Sequence, residues 1–165
     1  MKDSPDSGPV TEEQTSMFFY GTLMNTRILE RVVGRPIRNI RDAQLTGYCR
    51  LKIRNAHYPG LLPASIAELV LNRPPTLEEQ TVVGKLVSGL TSSEVARLDA
   101  FEGEEYESHT APVKLMDCIS PDLVVAVVYL YTPAIVSQNV LPCVWSYDEF
   151  VDKYLSQWIV DPDNF

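Results

Sequence analysis

MFFYGTL, residues Met17 to Leu23, decides how the rest of the chain is read. Four largely apolar residues suited to a strand stop at a glycine and a threonine, and a helix-like segment, MNTRILERVVG, begins at once. A strand that bends at a glycine straight into a helix leaves several backbone N–H groups without intrahelical partners, all at the positive end of the helix dipole. Such a turn can hold a carboxylate or a developing oxyanion. The plainer reading, in which Gly21 only permits a tight turn, stays open on these residues alone.

Downstream of the turn, Asn25 to Val33 reads as a helix with Ile28, Leu29, Val32 and Val33 on one face, Thr22 or Asn25 as its cap, and Gly34 and Pro36 as its stop. Upstream, MKDSPDSGPVTEEQTS is polar, acidic and rich in Ser and Pro. It lacks the basic start and apolar run of a secretory signal, so residues 1–16 are expected to be a disordered tail and 17–165 the folded domain. Residues 40–54 resemble one long bent strand with a central glycine, and NAHYPGLLP reads as a turn-rich loop without regular structure. IAELVL starts either a strand or a helix, and NRPPTLEEQ reads as a loop insertion.

TVVGKLVSGL is a strand, and TSSEVARLDAFEG carries the clearest helix signals in the chain. Thr91 or Ser92 caps it, Glu94 lies near the first turn, Val95, Leu98 and Phe101 recur at helical spacing, and Gly103 ends it. Residues 106–117 and 122–131 predict two strands joined as a hairpin through CISPD, and Tyr147 to Trp158 a last amphipathic helix. About five strands with three separated helices, out of strict alternation, predict an α+β domain around a small, mixed, strongly curved β-sheet or barrel with flanking helices.

Composition narrows the function. With 165 residues, 45% of them hydrophobic, the chain suits one globular domain. A formal charge of -8, from 14 basic against 22 acidic residues, argues against binding a phosphate backbone, so nucleic acid is not an expected partner. The longest apolar run, LVVAVVYLY, is less than half of what a membrane helix needs, so no membrane span is expected. Cys49, Cys118 and Cys143 are odd in number and form no CxxC pair, which suits buried neutral thiols in a reducing, cytoplasmic setting. The only histidines are His57 and His109, too few and too scattered to predict a metal centre. Oligomeric state is left open by the sequence.

The second stretch with chemistry is LDAFEGEEYES, residues 98–108. Glu102 ends a helix whose Leu98 and Phe101 face the core, so it is drawn toward a place where desolvation raises its pKa toward that of a general acid or base. Glu104 and Glu105 are expected on the solvated side, and Asp99 equally serves as a structural hydrogen-bond acceptor. Tyr58 and Tyr106 read as half-buried aromatics or as phenol donors beside an anion site, and Trp145 and Trp158 as packing anchors.

Four stretches together resemble the gamma-glutamylcyclotransferase-like superfamily, most closely its avirulence-induced-gene-type branch: FFYGTL, HYPGLLP, VGKLVSGLTSSEVARLDAFEGEEY, and VYLYTP with the later WSYDEF. They occur in the expected order over nearly all of the chain after the tail. The resemblance implies the gamma-glutamylcyclotransferase-like fold, a small mixed barrel with flanking helices and a cavity where the YGTL loop faces a glutamate. It implies that Tyr20, Gly21, Thr22 and Leu23 bind the γ-glutamyl part of a small-molecule substrate, that Glu102 is the acid/base, and that Tyr106 and Tyr58 line the pocket. The activity implied is a cofactor-independent cyclotransferase, of the acyltransferase or lyase class, releasing 5-oxoproline. Ser108 departs from the arginine common two places beyond the motif tyrosine, and PPTLEEQ looks like an insertion beside the pocket. The alternatives are a non-catalytic ligand-binding module on the same fold and an enzyme of a related cyclisation or elimination.

Overall fold

The apolar run at the start of the domain follows from a strand buried on both faces. In the computed structural model, which describes residues 13–117, 119, 123–132 and 136–165, β1 is Thr15–Phe19. Phe18 and Tyr20 pack into the barrel interior with Leu86, Val113 and Val128, while Met17 and Phe19 pack outward against helices, with Leu98, Phe150 and Trp158. The strand begins two residues before the expected boundary, because Thr15 pairs with Leu90 and Ser16 Oγ donates to Ser88 Oγ. The first twelve residues of the expected tail, Cys118 and most of the CISPD turn lie outside the described residues.

The barrel is closed by β1, β2 (Ile40–Thr46), β5 (Thr81–Leu90), β6 (Tyr106–Leu115) and β7 (Leu123–Tyr131), in the order β1-β5-β2-β6-β7. β1 pairs antiparallel with β5 and parallel with β7, and the β6–β7 hairpin runs in register from Tyr106 opposite Tyr131 to Lys114 opposite Leu123. The α+β architecture of a curved, closed sheet with flanking helices is therefore the observed one.

A second, three-stranded sheet was not legible in the sequence. The expected bent strand over 40–54 is two strands, β2 and β3 (Tyr48–Ile53), which part at Gly47. Gly47 sits at φ +91, a left-handed conformation that glycine adopts without penalty, and the chain there leaves the barrel for the other sheet. The expected loop at 55–63 contains β4 (Pro59–Pro63), an edge strand in the order β4-β3-β8, and β8 is Val140–Val144. Two prolines in five residues hide a strand from propensity, and an edge position tolerates them. Among the described residues this makes eight strands, not five.

The helices are α1 (Thr26–Val33), α2 (Ala64–Leu71), α3 (Ser92–Glu102), α4 (Val136–Asn139), α5 (Tyr147–Lys153) and α6 (Leu155–Val160). IAELVL is thus helical, and the single last helix is two helices broken at Tyr154. Thr91 caps α3 in a full capping box, its side chain accepting from Glu94 N–H while the Glu94 carboxylate accepts from Thr91 N–H. Arg35 grips the same Glu94 at 2.5 Å and 3.0 Å, and Arg97 donates to the Val33 carbonyl at the end of α1, so α1 and α3 are locked to each other. Trp145 and Trp158 are buried in the helical core, as expected of anchors.

One glycine fixes the distance between β1 and β5. A Cβ on Gly84 would overlap the carbonyl oxygen of Phe19 and come within 2.7 Å of Phe18 Cζ. Backbone cannot retreat inside a closed barrel. Gly84→Ala is expected to cost about 1–3 kcal/mol of overpacking, read as a fall in the urea midpoint at unchanged m-value; a midpoint equal to wild type would show that the barrel relaxes there.

Candidate active site

The turn after β1 is not the immediate strand-to-helix step expected. A 3-10 turn, Thr22–Met24, intervenes, with Met24 N–H donating to Gly21 O at 3.0 Å and Asn25 N–H to Thr22 O at 3.1 Å. The Asn25 side chain then caps α1, accepting from Arg27 and Ile28 N–H. The backbone N–H groups of Gly21, Thr22 and Leu23 meet no acceptor among the described residues. Gly21 has a negative φ, so its role is not left-handed freedom. A Cβ there would lie 3.0 Å from Pro59 Cδ and 3.2 Å from Pro59 Cγ, so glycine lets the turn press against the start of β4.

Arg50, on β3, lies beneath this turn and was not singled out in the sequence. Its Nη1 donates to the Tyr20 carbonyl at 2.8 Å and to the Val83 carbonyl at 3.2 Å, and its guanidinium lies 5.3 Å from the Trp145 ring centroid. Burial lowers its pKa to about 10, which leaves it charged at neutral pH. In a trans peptide the C=O and the following N–H point in opposite directions. By holding the Tyr20 carbonyl, Arg50 therefore fixes the direction of the Gly21 N–H and polarises it. An arginine alternating with apolar residues reads only as a strand face, so no sequence signal marks it as buried.

Glu102 closes α3, and its carboxyl makes no hydrogen bond among the described residues. Burial, with a smaller contribution from the Asp99 carboxylate one turn earlier, raises its pKa to about 8. Asp99 is in turn held at 2.6 Å by the Tyr129 hydroxyl, which makes it the structural acceptor that the sequence allowed. The Tyr20 hydroxyl donates to the Tyr129 carbonyl and the Tyr106 hydroxyl to the Pro59 carbonyl at 2.8 Å. Burial pushes both phenols well above their usual pKa, so both stay neutral donors.

Tyr20, Gly21, Thr22, Leu23, Tyr58, Tyr106 and Glu102 all line one small cavity of about 30 Å³, joined there by Pro59 and Tyr129, which the sequence did not nominate. The Leu23 side chain belongs largely to the core, so its contribution is chiefly its N–H. Thr22, Tyr58, Glu102 and Tyr106 also line a wider cavity of about 300 Å³. Glu104 is exposed as expected, but Glu105 is half-buried: it lines the wider cavity and accepts from the Tyr58 hydroxyl at 3.4 Å. The reason is that the chain leaves α3 at Gly103, φ +74, and turns back into β6, carrying Glu105 inward. Cys143 is exposed near the end of edge strand β8, whereas Cys49 is buried as expected. Among the described residues no cluster of His, Cys, Asp and Glu could hold a metal ion, and no helix is long and apolar enough to cross a membrane.

Residues 17–147 match the family described as gamma-glutamyl cyclotransferase, AIG2-like. The chain is 32% identical over 111 residues to AIG2-like protein D of Arabidopsis thaliana, an alignment covering 67% of this chain and 62% of that protein. It spans between about half and three-fifths of the length of the curated relatives it matches. Among solved structures, the Arabidopsis thaliana protein At3g28950.1 aligns with a TM-score of 0.65 at 20% identity, over 93% of this chain and 82% of that one. An AIG2-like protein from Mus musculus aligns with a TM-score of 0.54 at 22% identity, over 83% and 90%. At these identities the likeness shows the shared fold.

The raised pKa of Glu102 couples to stability. The unfolded carboxyl titrates near 4.5 and the folded one near 8, so between these values the folded protein holds the extra proton and loses stability as pH rises. Glu102→Gln removes that loss. The variant is expected to be more stable than wild type at pH 8, on the order of 1 kcal/mol or more, with the difference vanishing near pH 4; a difference independent of pH in parallel urea melts would contradict the burial of the acid.

Proposed function

The chain belongs to the gamma-glutamyl cyclotransferase, AIG2-like family, and on that premise we propose that it cyclises a γ-glutamyl amide to 5-oxoproline and releases the amine. The observation that carries the reading is the unpartnered Glu102 carboxyl in the same cavity as the free amides of the Tyr20–Leu23 turn.

The α-amine of the substrate's glutamyl part attacks its own γ-carbonyl carbon, forming a C–N bond that closes a five-membered lactam. That amine begins as an ammonium with a pKa near ~8, and Glu102, with its own pKa raised to about 8, takes its proton. Negative charge gathers on the carbonyl oxygen, and the N–H groups of Gly21, Thr22 and Leu23 stabilise it. The bond to the departing amine then breaks as Glu102 returns the proton to that nitrogen, and the carboxylate so regenerated takes the second proton from the ring nitrogen, leaving the lactam N–H. No water is consumed, and one carboxyl serves each transfer. Tyr106 and Tyr58 wall the cavity, where the substrate is bent so that amine and carbonyl meet. The reaction as written calls for no cofactor, and turnover is expected to survive a chelator. A cytoplasmic setting suits the exposed, unpaired Cys143.

Release of 5-oxoproline from a panel of γ-glutamyl compounds tests the reaction. Glu102→Gln keeps the shape and removes the base, and turnover should fall by about 10²–10⁴-fold, with the circular dichroism spectrum unchanged. In wild type kcat/KM should pass through a maximum near pH 8, rising as the carboxyl ionises and falling as the substrate ammonium loses the proton that Glu102 carries to the departing nitrogen. Ligand binding without turnover on any compound would replace the enzyme by a binding module.

Arg50 acts through the turn. Arg50→Met is expected to lower kcat by roughly tenfold or more while KM changes less, since it spoils a donor used mainly in the transition state. Arg50→Lys should restore part of the loss by keeping a charged donor to the Tyr20 carbonyl; equal kcat in all three proteins would remove Arg50 from the mechanism.

A further inference from the structure

The hairpin of β6 and β7 reaches past the strand beside it. β6 pairs with β7 in register from Tyr106 to Lys114, but β2 meets β6 only at Ala43 opposite Leu115 and Gln44 opposite Lys114. β2 ends at Thr46, and the chain departs at Gly47 for the second sheet. Over residues 106–113 no strand among the described residues therefore pairs with the other edge of β6. Glu107, Ser108, His109 and Thr110 are exposed in succession. Exposure alternates along a strand that covers a core with one face, so four exposed residues in a row mark a stretch whose two faces are both open.

An open edge is a template for another strand, and proteins ordinarily guard it with charge. Here the guard carries both signs. Glu107 and His109 stand two residues apart on one face, continuing the row of Ala111, Val113 and Leu115, and they approach each other only to 3.5 Å. Two copies of this strand laid antiparallel about Ser108 set each Glu107 opposite the partner's His109, twice over. A carboxylate accepts from an imidazole N–H whether or not the ring is charged, and such cross-strand pairs stabilise a ladder. The residue at the axis, Ser108, is small and neutral and meets its own copy without repulsion. Registers with Glu107 or His109 at the axis set like groups opposite each other, so the order of charges selects one register.

We propose that the free edge of β6 docks a second copy of this chain: two β6 strands pair antiparallel about Ser108 into one continuous sheet, with Glu107 and His109 in reciprocal contact. The interface is isologous and closes after two copies, because pairing uses up the edge of both. Only a partner with the same order of charges matches it, which favours this chain over an unrelated extended segment. The contact is short, so the dimer is reversible and depends on concentration.

Sedimentation velocity over a dilution series tests this, and it is expected to show monomer and dimer in exchange. Amide hydrogen exchange in peptides covering residues 106–111 should slow as the dimer forms. Ser108→Arg sets two guanidinium groups against each other at the axis and should leave monomer. His109→Glu sets acid against acid on both sides and should weaken dimerisation by at least about tenfold, whereas the exchanged pair Glu107→His, His109→Glu restores the match and should return the dimer. All three side chains are exposed, so each variant should keep the wild-type circular dichroism spectrum and urea midpoint. Monomer at every concentration would overturn the proposal and leave the edge to a strand of another protein. Slow exchange at 106–111 at every dilution would show the edge covered within one chain, and a dimer indifferent to these substitutions would lie elsewhere on the surface; either result overturns the proposal as well.

Discussion

The site depends on how β1 leaves the barrel. A strand that stops inside a core leaves a carbonyl with no neighbouring strand to satisfy it, and here the Tyr20 carbonyl is taken by the Arg50 guanidinium from the second sheet. Burying that guanidinium is costly, as its lowered pKa records. The cost is offset by two carbonyls, Tyr20 and Val83, and by the Trp145 ring. The contact also joins the sheets, since Arg50 lies on β3 while Tyr20 directly follows β1 and Val83 lies near the start of β5. Gly21 completes the arrangement from the other side by letting the turn touch Pro59, the residue whose carbonyl holds Tyr106.

The acid is placed by the opposite strategy. Everything at the start and middle of α3 is fixed, by the capping box, by Arg35 on Glu94, by Arg97 on the end of α1 and by Tyr129 on Asp99. Only Glu102, at its last turn, has an unengaged carboxyl. A rigid helix thus carries one unsatisfied carboxyl into a cavity opposite a turn with unsatisfied amides. Each is unfavourable for folding and complementary to a ligand bearing a carbonyl. The Asp99 charge has two effects, anchoring the helix through Tyr129 and adding to the rise of the Glu102 pKa.

Much of this was legible in the chain itself because the signals are local. The capping box at Thr91 and Glu94, the cap before Thr26, the apolar run of a doubly buried strand and the Leu98 and Phe101 spacing each follow from contacts within a few residues. The resemblance of YGTL and LDAFEGEEY to a known family then brought together seven residues that do line one cavity. The same locality explains the errors. β4 is a strand because β3 lies beside it, and its prolines conceal it from any local reading. Glu105 looked solvated because only the reversal at Gly103 turns it inward.

The sequence by itself determined the elements whose periodicity and caps are local, the acidic balance of charge, and the two motifs whose residues line one cavity. The tertiary structure alone decided that residues 40–54 divide between two sheets, that a strand arginine lies beneath the YGTL turn, and that Tyr129 bridges β7 to Asp99. The physical reason is range. Caps and hydrophobic periods are energies between neighbours in the chain, whereas burial of a charge and the partner of a carbonyl depend on residues 30 or more positions away.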